Sequence, residues 1–108
     1  MVALLAFLAL FAPQTAHQHH PPRDAAEYAK VLETPDRDGW QKPHEVIMAL
    51  KIRSDEVIAD IGAGSGYFTR RFANHAATVF AVDIDPKLLA MVEKAGAKNV
   101  KTVLATPD

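Results

Sequence analysis

EVIADIGAGSG, residues 56–66, decides the fold. Its first half is apolar and β-branched and is stopped by glycine, as a buried strand would be. Its second half sets Gly62, Gly64 and Gly66, three of the chain's five glycines, in alternate positions. Tyr67–Ala73 follows, with Phe68 and Phe72 one turn apart, the spacing of a helix that faces a core. Glycine in a strand-to-helix turn permits positive φ and lets a ligand lie against bare backbone. The helix that begins there offers unpaired N–H groups and a positive dipole end, a field that suits a carboxylate or a phosphate.

Downstream, the pattern repeats. ATVFAVD (77–83) reads as a second strand, Asp85 as an N-cap and Pro86 as the first residue of a helix. Leu88, Val92 and Ala95 mark that helix's buried face, Gly96 its stop, and NVKTVLA (99–105) a third strand. Alternation of this kind predicts parallel strands joined by right-handed crossovers. Upstream, Asp24 and Glu27 suggest a capping box, with Ala25, Tyr28 and Leu32 on one face of the helix they open. ETPDRDG (33–39) breaks that helix, and Pro43 opens another whose apolar stripe is Val46, Ile47 and Leu50.

The first twenty residues carry no Asp, Glu, Lys or Arg, and Val2–Ala12 is an apolar run. It is short for a membrane span and fits the central region of a signal peptide, so export is expected, with a cytoplasmic location as the alternative. His17, His19 and His20 lead into Pro21 and Pro22, which reads as a solvated linker rather than a metal site.

Composition bounds the rest. A chain of 108 residues, 49% apolar, makes at most one domain with a modest core. Twelve basic against thirteen acidic side chains give no clear nucleic-acid footprint. Without cysteine there is no disulfide, thiolate metal site or cysteine nucleophile, and no metal site is assigned.

Glycine spacing separates the candidate ligands. A dinucleotide loop reads G-x-G-x-x-G, but these glycines run G-x-G-x-G, with Tyr67 where the third dinucleotide glycine would stand. No G-x-x-x-x-G-K-[ST] phosphate loop is present either. A ligand with an adenosine and an amino-acid tail but no phosphate, S-adenosylmethionine, fits better. Asp83, ending the second strand, suits both ribose hydroxyls, although the same acid would serve NAD. Ile84 suits the adenine face, and Asp60 the ammonium of the tail. Trp40 reads either as a lid on that pocket or as a core aromatic, and Arg70 and Arg71 read as a solvated helix face.

VIADIGAGSGYFTRRFA and VFAVDIDPKLL together resemble motifs I and II of class I S-adenosylmethionine-dependent methyltransferases. LETPDRDGWQKPHEVIMALKI is similar to the lead-in of a bacterial group of predicted methyltransferases that often carry a signal-like leader. The cofactor half is also similar to protein-isoaspartate methyltransferases and to ribosomal RNA adenine dimethylases. The resemblance implies an α/β fold, a Rossmann-like parallel sheet with flanking helices. It also implies that only the N-terminal half is present, three strands of the usual seven, with the first strand as an open edge. Residues 1–16 are then the leader, 17–23 the His/Pro linker, 24–54 a helical lead-in and 55–108 the partial cofactor domain. Asp60, Gly62, Ala63, Gly64, Gly66, Asp83 and Ile84 would hold the cofactor. The expected activity is methyl transfer to a small-molecule or unidentified acceptor. A non-catalytic nucleotide-binding module and, less favoured, an NAD-dependent oxidoreductase are the alternatives. No catalytic residue or oligomeric state is assigned, and no membrane span is expected beyond the leader.

Overall fold

A computed structural model describes residues 2–3 and 24–106. In chain order the elements are β1 (Val2–Ala3), α1 (Ala25–Leu32), α2 (Arg37–Gln41), α3 (Pro43–Leu50), β2 (Val57–Ile61), α4 (Tyr67–Ala73), β3 (Thr78–Asp83), α5 (Pro86–Lys94) and β4 (Val100–Leu104). All four strands are parallel and lie in the order β1-β2-β3-β4. The three long strands and their two crossover helices are the βαβαβ unit that the sequence predicts.

The edge of β2 differs from expectation. Val2 and Ala3 pair with Val57 and Ile58, so the beginning of β2 is covered on that side. A two-residue strand leaves Ala59–Ile61 unpaired there among the described residues. Residues 4–23, which hold the rest of the apolar run expected to be a leader and the histidine/proline tract, lie outside the described residues.

Strand alternation places the core. Ile58 and Asp60 of β2 and Val79 and Ala81 of β3 are buried and share one face. Ile58 and Val79 pack with Phe68 and Phe72 of α4 and Ile47 of α3. Ala81 packs with Leu89 and Val92 of α5. Both crossover helices therefore lie on the same face, as successive right-handed crossovers to neighbouring strands require. Burying Phe72, which is 1% exposed, stabilises this layer by about 3 kcal/mol at most. Asn99 closes the bottom of the unit, its Nδ2 donating to the carbonyls of Ala73 (2.8 Å) and Ala76 (3.1 Å).

Helix ends correct several sequence readings. Asp85 caps α5 by accepting from the Lys87 amide at 2.9 Å, and Pro86 and Pro43 occupy first turns, as expected. Asp24 precedes α1 but its side chain makes no capping bond. Ala95 is exposed, and Leu89 takes its place on the buried face of α5. ETPDRDG does more than end α1: a further short helix, α2, starts inside it.

Candidate functional site

A cavity of about 1020 Å³ opens at the carboxyl ends of β2 and β3, where open parallel sheets bind their ligands. Its floor is the glycine turn, its far side the end of β3, and its roof the lead-in helices α1 and α2.

The turn is tied to β3 throughout. The Val82 carbonyl accepts from the amides of both Gly62 (2.8 Å) and Ala63 (3.0 Å), which carries the sheet ladder into the loop. Gly64 donates its amide to Asp83 Oδ2 at 2.8 Å, and Asp85 donates to Asp83 Oδ1 at 2.9 Å. Each Asp83 oxygen keeps a lone-pair direction for a ligand, so the carboxylate is oriented by backbone and still lines the cavity. Gly64 has φ +58, and a Cβ there would stand 2.9 Å from Leu32 Cδ1. Gly66 has φ +95, and its Cβ would stand 3.1 Å from Val92 Cγ2, so this glycine lets α4 and α5 meet.

Asp60 sits beneath the turn, 4% exposed, and accepts from Thr69 Oγ1 at 2.7 Å. Burial pushes its carboxyl up to about 6; the Thr69 hydroxyl and the charge of Arg37 pull the other way. A buried carboxyl poised near neutrality invites a cation from the ligand.

The roof is latched to α4 at two points. Glu33 accepts from Ser65 Oγ at 2.6 Å and binds the Arg70 guanidinium in a fork at 3.1 and 2.6 Å. Partial burial raises the Glu33 carboxyl, but the Arg70 and Ser65 bonds outweigh it and hold the group below its ordinary value. Asp38 accepts from the Tyr67 hydroxyl and from Arg71 Nη2 at 3.4 Å. Burial and the Asp38 bond push the Tyr67 phenol up to about 12. The guanidinium carbons of Arg37 and Arg71 each lie 4.0 Å from the Tyr67 ring centroid. Arg70 and Arg71 are thus latch residues, not a free solvated face.

Asp60, Gly62, Ala63, Gly64, Asp83 and Ile84 all line the cavity, and Gly66 does not. Ile84 is 65% exposed into its mouth. Trp40, also at the mouth, is 66% exposed and is not a core residue. Sequence reasoning missed Glu33, Arg37 and Asp38. The available signal was the density of charge in ETPDRDGW, which contains more ionisable groups than a helix break needs. Among the described residues no His/Cys/Asp/Glu cluster suits a metal, and no helix is long and apolar enough to cross a membrane.

Comparison with known proteins bears on residues 58–106, which match a family described as a methyltransferase domain. Ribosomal RNA small subunit methyltransferase A of Syntrophus aciditrophicus is 38% identical over 50 residues, covering 46% of this chain and 18% of that protein. A solved SAM-dependent methyltransferase from Aquifex aeolicus superposes with TM-score 0.66 at 22% identity, covering 79% of this chain and 48% of that one; this likeness concerns the fold alone. DhpI, solved in complex with SAH, superposes with TM-score 0.62 at 30% identity over 78% of this chain and 43% of that one. The matches thus span about a fifth of the length of the curated relatives and under half of these solved ones.

Proposed function

We propose, from the premise that residues 58–106 form a class I S-adenosylmethionine-dependent methyltransferase domain, that the cleft binds S-adenosylmethionine and directs its methyl group to a small-molecule acceptor. One observation carries the cofactor reading: two carboxylates, Asp60 and Asp83, flank a glycine turn whose backbone lines the cavity without a phosphate-loop sequence. The ligand that fits has a cationic end, a diol and no phosphate.

Asp83 would accept from the ribose hydroxyls, with its orientation fixed in advance by the Gly64 and Asp85 amides. Ile84 would lie on the adenine face, and Gly62 and Ala63 would give the ligand close backbone contact. Asp60 would hold the ammonium. Bound there, the cofactor supplies an electrophilic methyl group on a sulfonium, open to in-line attack by a nucleophile. Positioning then supplies most of the rate, since aligning nucleophile and carbon at about 3–3.5 Å removes much of the entropic barrier.

Two features favour a small acceptor: the near-neutral charge of the chain and the aromatic mouth formed by Trp40 and Tyr28. An RNA acceptor is the second reading, favoured by the names of the curated relatives, which are ribosomal RNA methyltransferases.

Calorimetry with S-adenosylhomocysteine and with NADH tests the cofactor. Binding of the first and not the second, abolished by Asp83→Ala, is the expected result; uptake of NADH alone overturns the reading. Transfer of labelled methyl groups from S-adenosylmethionine, offered a small-metabolite extract and purified ribosomal RNA separately, tests the acceptor. Label entering only the RNA overturns the small-molecule assignment.

A further inference from the structure

Arg37 stands apart from the other described arginines. Arg53 pairs with Asp55 at 2.7 Å, Arg70 with Glu33 at 2.6 Å and Arg71 with Asp38 at 3.4 Å, whereas Arg37 has no carboxylate within ion-pair distance among the described residues. Its Nη1 donates to the Leu32 carbonyl at 2.7 Å, and its Nε is buried without a hydrogen-bond partner. Burial lowers its pKa, yet a guanidinium stays protonated at any physiological pH. A partly desolvated cation with an unsatisfied donor is costly unless an anion reaches it.

Its placement says which anion. Arg37 lines the same cavity as Asp60, near enough for its charge to favour the ionised form of that carboxyl. One negative and one positive side chain in a single cleft match the ammonium and carboxylate that an α-amino acid carries on one carbon. The latches that fix α1 and α2 on α4 hold this guanidinium in position, and the Tyr67 ring limits its freedom. A planar fork of donors held in this way is suited to a carboxylate.

We propose that Arg37 receives the carboxylate of the cofactor's amino-acid tail while Asp60 receives its ammonium, so that the lead-in helices complete the cofactor site. The proposal rests on the S-adenosylmethionine reading above. It makes Arg37 a binding residue that selects for an intact amino-acid tail, and it gives the region upstream of the glycine turn a part in recognition.

Calorimetry on the full chain tests this with three ligands: S-adenosylhomocysteine, its decarboxylated analogue, and 5′-methylthioadenosine, which lacks the tail. The wild type should bind S-adenosylhomocysteine roughly 10- to 100-fold more tightly than the decarboxylated analogue, the range for a charge-assisted hydrogen bond. Arg37→Gln should remove that preference and leave 5′-methylthioadenosine binding within about twofold, with Arg37→Lys recovering part of it. Equal wild-type affinity for S-adenosylhomocysteine and its decarboxylated analogue overturns the carboxylate assignment, and that comparison needs no variant to fold. An Arg37→Gln protein that keeps the preference, or that weakens all three ligands alike, also overturns it. If the wild type binds none of the three, the cofactor reading itself falls, and this inference falls with it.

Discussion

In the proposed site, Asp60 is the residue where folding and binding pull in opposite directions. Its carboxyl titrates near pH 6 in the fold and at 3.8 as a free group, so the folded chain is penalised for ionising it. The penalty is absent below about pH 4, grows between 4 and 6, and is constant above, reaching roughly 3 kcal/mol. Asp60→Asn keeps an acceptor for Thr69 and removes the charge. Urea unfolding should therefore show it more stable than the wild type by about 1–3 kcal/mol at pH 7.5 and equal to it near pH 3.5. Affinity for S-adenosylhomocysteine should follow the opposite course, rising in the wild type as pH climbs from 5 to 7 and staying weak and flat in the variant. Gly66 gives a contrasting prediction. An alanine there would adopt φ +95 and press on the stiff, β-branched Val92, so Gly66→Ala should lower stability by about 1–3 kcal/mol. Because Gly66 does not line the cavity, folded Gly66→Ala protein should retain most of its S-adenosylhomocysteine affinity.

At the scale of elements, the βαβαβ unit was legible because each signal was local. EVIADIG, the Phe68/Phe72 spacing, the Asp85-Pro86 cap and Gly96 each specify one element or one boundary, and the described elements fall close to those bounds. The lead-in was legible only in part. Pro35 and Gly39 read as breakers, yet α2 forms across Gly39, and Lys42, at φ 47, turns the chain directly into α3. What holds α2 is contact with α4 across about thirty residues of chain, through Asp38 to Tyr67 and Arg71, which no local pattern reports. The place of Asp60 and Asp83 at the cleft, set by the ends of strands, could be read from sequence; the Glu33, Asp38 and Arg37 contacts, set by tertiary docking, could not. This docking is testable as a unit. Glu33→Gln weakens the fork to Arg70, so hydrogen exchange should speed up in α1 and α2 while the amides of β2 and β3 stay protected. Acid should act in the same direction. Glu33 titrates below its usual 4.5, so its contribution is complete above about pH 5 and fades as pH falls through the lowered value.

Across the whole molecule, the crossover helices among the described residues pack on one face of the sheet. Neither buried cluster includes Val57, Ala59 or Ile61 of β2, or Phe80 or Val82 of β3. Val103 is 41% exposed, the Lys101 ammonium lies 6.0 Å from the Phe80 ring centroid, and Ile61, 43% exposed, opens into the cavity. A parallel sheet is ordinarily covered on both faces; on this second face Val57, Ala59, Phe80 and Val82 are half-buried and Val103 is exposed among the described residues. Away from Ile61, which it shares with the cleft, this face carries no carboxylate or glycine turn among the described residues and should behave differently under substitution. Val103 pairs with Val82 in register on β4, away from the cavity. Val103→Lys places a charge at an exposed position of the second face without touching the core and should cost below about 1 kcal/mol in urea unfolding. Phe72→Ala, on the covered face, should cost about 3–5 kcal/mol. A large loss of stability in Val103→Lys would mean that the second face is as well packed as the first, and the account of Val103 as an exposed position would then be wrong.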